Sequence, residues 1–100
     1  MYYRPEQWDK PDSRLLAYLD EHELRGVFDL MLDTMRKAWN LIDDNDVDMS
    51  AANVDENAFY QLAWVCENHA TGMYWALQEM IDDKSILNYL VDFCKYSLFY

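Results

Sequence analysis

Four carboxylates, Asp43, Asp44, Asp46 and Asp48, crowd one short stretch of the chain, and Asp55 and Glu56 follow closely. Oxygen ligands at such spacing suit a hard cation. Counted from Asp44, the residues Asp44, Asp46, Asp48, Ser50 and Asp55 fall on positions 1, 3, 5, 7 and 12 of a calcium-loop template. Three departures weaken the match. Met49 stands where the sharp turn needs glycine, Ala52 offers no ligand at position 9, and Asp55 is shorter than the bidentate Glu of the template. A solvated acidic loop, or an acidic patch shown to a basic partner, accounts for the same residues without a metal. No metal or cofactor is expected.

Sulfur and imidazole offer less. Cys66 and His69 are neighbours on a helix by their spacing. However, Cys66 sits in a densely apolar pattern, where a thiol is usually inert. Cys94 and His22 are distant in sequence, and no spacing among the four matches a zinc site. No glycine-rich phosphate loop or hydrolase serine motif is present. No catalytic residue is assigned, and the protein is expected not to be an enzyme.

The elements that hold these groups read as helices. Gly and Pro number two each in 100 residues, too few for a turn-rich β fold. Residues 1–11 form an arm carrying Tyr2, Tyr3 and Trp8, and Pro5 and Pro11 argue against a helix there. The aromatic rings predict an arm packed on the body, with insertion into a neighbouring subunit as the alternative. A short helix is predicted from about Asp12 to Leu19, capped by Asp12 or Ser13.

A second helix reads from the Asp20–Glu23 capping-box spacing to about Ile42. Leu24, Phe28, Met31, Met35, Ala38 and Ile42 make its apolar stripe. Asn53 and Glu56 repeat the capping-box spacing and open a third helix that reaches about Asp83. Its stripe reads Phe59, Leu62, Cys66, Ala70, Met73, Leu77 and Met80, with further apolar residues around the circumference. Such a helix is either central or has a second face for a partner. Gly72, in its middle, marks a kink or a close helix crossing. Ser85 caps a last helix to about Leu98, and the apolar Leu98-Phe99-Tyr100 end is expected to dock. The expected architecture is all-α: a single domain over residues 1–100, a compact bundle of three main helices plus one short N-terminal helix.

Composition narrows the function. Eight basic residues face 19 acidic ones, a formal charge of -11. Repulsion argues against direct binding to nucleic acid or anionic membrane. The charge either keeps an apolar-rich protein soluble or selects a basic partner. No stretch has the ~20 apolar residues of a membrane span, and Met1 to Lys10 has no apolar signal run, so a cytoplasmic protein is expected.

Aromatics make up 16% of the chain, and Tyr and Trp are favoured at protein interfaces. Tyr60, Trp64, Asn68, Thr71, Trp75 and Gln78 fall along one side of the third helix. Asp43, Asp44, Asp46, Asp48, Asp55, Glu56, Tyr60, Trp64 and Trp75 are therefore the candidate partner-binding residues. Equally, the rings could simply fill the space between helices.

The chain carries no family's motifs. In its size, helicity and acidity it resembles the small inhibitor proteins that mobile elements use against basic nucleic-acid-handling enzymes. That resemblance is one of composition. It implies an inhibitor occupying a basic groove, as in phage counter-defence of the anti-CRISPR or anti-restriction kind. The alternatives are a self-assembling homodimer whose charge serves solubility and, last, a calcium-responsive helix pair.

Overall fold

The structure, a computed structural model, describes residues 6–95. Tyr2, Tyr3 and the expected docking of Leu98-Phe99-Tyr100 lie outside the described residues. The protein is all-α. A 3-10 turn, Glu6–Asp9, leads to helices α1 (Ser13–Glu21), α2 (Arg25–Asp44), α3 (Ala58–Met80) and α4 (Lys84–Cys94). A second 3-10 turn, Val54–Glu56, precedes α3.

Each helix start shows which polar side chain satisfies the free N–H groups. The Asp12 carboxylate accepts from the Arg14 N–H (2.8 Å), as the sequence predicts. Two expected caps are displaced. Asn53–Glu56 forms the 3-10 turn, and Asn57 caps α3 instead, its side-chain oxygen accepting from Phe59 (2.9 Å) and Tyr60 (3.3 Å). Asp83, not Ser85, caps α4, accepting from Ser85 (2.9 Å) and Ile86 (3.3 Å). In both cases a carboxyl or amide with two bonds in reach takes the place expected of the other residue.

The Asp20–Glu23 spacing is not a start but a stop. Glu23 takes a left-handed φ of 58°. The Leu24 N–H reaches back to the Leu19 carbonyl (2.8 Å) and the Glu23 N–H to Asp20 (3.3 Å). These two bonds define a Schellman motif, built on glutamate where glycine is usual. The same motif ends α2. Asp46 has φ 49°, the Val47 N–H bonds to Ile42 (3.1 Å) and the Asp46 N–H bonds to Asp43 (3.3 Å). Each motif brings the residue after the left-handed one onto its helix, so Leu24 joins the Leu19 cluster and Val47 packs with Ile42.

Helices α2 and α3 form the most extensive contact and run antiparallel. Phe28 and Met31, early in α2, share a cluster with Leu77 at the end of α3. Ala38 and Ile42, late in α2, share a smaller one with Ala63 at the start of α3. The larger cluster also takes Trp8, Leu15 and Leu19 from the N-terminal part and Ile86, Leu90 and Phe93 from α4. The α2 stripe is buried as its spacing requires, with only Leu24 partly exposed.

The α3 stripe is rotated from the expected one. Ala63, Glu67, Ala70 and Leu77 face inward, while Phe59, Leu62 and Met80 are exposed. Small alanines let α3 lie close against α2, and that close packing decides the phase. Helix α3 continues through Gly72, where an added Cβ would meet nothing within 4 Å.

Candidate functional site

At the α2–α3 turn, side chains alternate between anchor and solvent. Val47 is buried and Met49 partly buried in the smaller cluster. Asp46, Asp48 and Ser50 therefore face water, as does Asp44 at the end of α2. Asp43 is half-buried. The Asp48 carboxylate accepts from the Ser50 hydroxyl (2.6 Å) and the Ser50 N–H (3.0 Å). Those bonds hold its pKa below the ordinary value, the hydroxyl contributing most. Asp48 is thus fixed within a hydrogen-bonded turn.

Beyond it, Asp55 and Glu56 sit exposed on the 3-10 turn. The Asp55 carbonyl accepts from the Gln61 side-chain amide (2.9 Å), fastening this turn to the first turn of α3. An open cleft of about 390 Å³ lies here, lined by Asp55, Tyr60, Gln61, Trp64 and Val65. Three of the sequence-predicted residues, Asp55, Tyr60 and Trp64, meet in it. Tyr60 is half-buried against the smaller cluster, and Trp64 is 46% exposed. One carboxylate-bearing residue stands beside two aromatic rings and an exposed valine.

Trp75 is not part of the cleft. It lies on the same side of α3, about 16 Å farther along by helical rise. It is 60% exposed, with its ring against Tyr74 (centroids 6.0 Å apart). Gln61 and Val65 were not singled out by sequence reasoning. Their signal was available, since each follows a cleft aromatic by one residue and the two are themselves four apart.

Of the calcium-template residues, Asp55, the last, lies in a separate 3-10 turn, and the Asp48 carboxylate is bonded to Ser50. Among the described residues, no three His, Cys, Asp or Glu side chains come together as metal ligands. His69 is exposed, and His22 packs its ring on Tyr18 (4.1 Å). Both cysteines are free thiols. Burial, aided by the nearby charge of Glu67, pushes the Cys94 thiol up to about 12, so it stays protonated.

Glu67 is the charged residue that sequence reasoning passed over. It is only 3% exposed, and burial raises its carboxyl to about 7. A stripe phased on Ala63, Ala70 and Leu77 puts Glu67 at its centre, which was the available signal.

No helix among the described residues is long and apolar enough to cross a membrane. Comparison with protein families, with curated proteins and with solved structures returns no match.

Proposed function

We propose that the protein is a non-enzymatic binding module that holds a basic surface of a partner protein at the turn end of α2 and α3. We read its four helices as a bundle that serves to present this end. The observation that carries the proposal is the meeting of Asp55, Tyr60 and Trp64 in one open cleft, whose Tyr60 packs on the same small cluster that anchors the acidic turn through Val47 and Met49 and leaves Asp44, Asp46 and Asp48 exposed. An aromatic-lined cleft rewards an apolar or cationic side chain, through burial and cation–π attraction. Carboxylates around it attract a basic surface and speed encounter.

A groove that normally holds nucleic acid has this chemistry, because it presents spaced cations to phosphates. Occupied by carboxylates, it would be closed to its usual ligand, which is the inhibitor reading. The fixed geometry of the Asp48–Ser50 turn supports it, since a preformed surface loses less entropy on binding.

The test is capture of partners from a bacterial lysate at low and high salt. It compares the wild type with Trp64→Ala and with a triple variant, D44K, D46K and D48K. The proposal expects a basic protein retained at low salt and released at high salt. The triple variant should lose that protein, and Trp64→Ala should retain it only weakly. Retention indifferent to both salt and charge reversal overturns it.

A further inference from the structure

We infer that the outer face of α3 is where two copies of this chain meet. The face lies away from α2 and borders the cleft, with which it shares Val65. Leu62, Val65, His69, Gly72, Ala76 and Met80 follow one another at steps of three or four, so they share one side of the helix. Leu62, Val65 and Met80 are 53%, 50% and 55% exposed. Large apolar side chains so placed leave an apolar strip in water along most of α3.

Charge identifies the occupant. Of the charged residues in α3, Glu67 is turned into the core, and Glu79 stands near the end. No acidic, Lys or Arg side chain reaches solvent between Asn57 and Gln78. On a chain of net charge -11, this strip is where two copies can approach with least repulsion. A basic partner gains no charge complementarity along this strip, since the carboxylates stand at the turn end. What fits an uncharged apolar strip is another such strip, and the second copy supplies one.

Area agrees. With Trp75 at its edge, the strip offers apolar surface on the order of 400 Å², which with backbone and polar neighbours reaches the low end of interface sizes, that of weak complexes.

Gly72 points the same way. Glycine costs a helix interior about 1 kcal/mol against alanine. Nothing among the described residues requires it, because its φ is not positive and an added Cβ meets none of them within 4 Å. A missing side chain in the middle of an apolar strip lets a second helix backbone come close. Two α3 helices crossing there on a two-fold axis give a self-complementary contact.

The experiment is sedimentation equilibrium with light scattering up to about 100 μM, a range that detects weak dimers. The wild type should show twice the 12.0 kDa chain mass. Leu62→Lys, Met80→Lys and Gly72→Leu should each raise the dimer dissociation constant about tenfold or more, by lost burial or steric block. Helical circular dichroism should be unchanged. A wild-type mass of 12.0 kDa throughout, or lysine variants as dimeric as the wild type, overturns the inference. All three variants leave Trp64 and the acidic turn intact, so capture of a basic partner by monomeric variants tests the proposed function separately.

Discussion

The indole N–H of Trp8 donates to the backbone carbonyl of Phe93 at 3.3 Å, joining the N-terminal arm to the last turn of α4. Trp8 is fully buried, and its ring meets Trp39 edge-on, with centroids 6.0 Å apart. Arg36 on α2 donates to the Trp8 carbonyl at 2.9 Å. One side chain and its backbone thus tie the arm to α2 and α4.

Trp8→Ala should therefore behave as a core truncation, costing about 3 to 5 kcal/mol in urea unfolding. Trp8→Phe keeps most of the apolar surface but leaves the Phe93 carbonyl without its donor, so it should cost less, nearer ~1–2 kcal/mol. Equal and small losses for both would mean that the arm is not part of the core.

Glu67 gives stability a pH dependence of defined sign. Its folded-state pKa, about 7, lies above its ordinary 4.5. Below about 4.5 the carboxyl is neutral both folded and unfolded, and its burial is unopposed. As pH rises through 7 the unfolded state is already ionised, and that stability is lost, up to about 3 kcal/mol. Glu67→Gln should flatten this part of the profile between pH 5 and 8 and raise the melting temperature at pH 8. Thermal melts across that range decide it. Parallel profiles for the two proteins would contradict the assignment.

Two acidic residues hold left-handed backbone at helix ends, Glu23 and Asp46. Such a conformation costs a non-glycine residue about 1–2 kcal/mol, while glycine loses some of the gain through its more flexible unfolded chain. Glu23→Gly should stabilise by about 0.5–1 kcal/mol, and Asp46→Gly by less, because aspartate tolerates this region better. Chemical denaturation measures both. Asp46→Gly also removes a carboxylate from the acidic turn, so any loss of partner capture in that variant could not be ascribed to unfolding.

Much of this was legible in the sequence where one period dominated. The α2 stripe from Phe28 to Ile42 is buried as read, because polar residues on the other face left a single phase. In α3 apolar residues surround the helix, so several phases fitted equally well. The packing of Ala63 and Ala70 close to α2 selected one of them, and no single-sequence pattern weighs close approach. The helix stops were hidden for a related reason. With two glycines in the chain, Glu23 and Asp46 took the left-handed positions, and a glutamate there reads as a cap. Of the candidate site, the four-residue step from Tyr60 to Trp64 was legible as a shared face. Its meeting with Asp55 was not, because it depends on the Val54–Glu56 turn folding back and on the Gln61 bond that fastens it.

The apolar interior is divided unequally along the α2–α3 pair. The larger cluster gathers Trp8, Phe28, Phe93 and several leucines, while the one beneath the acidic turn rests on Ala38, Ile42, Val47 and Ala63. Separating the helices at the turn end therefore exposes far less apolar surface than separating them anywhere else. The cleft and its carboxylates thus keep their preset shape through a handful of small side chains, so a single change of volume among them reaches the binding surface directly.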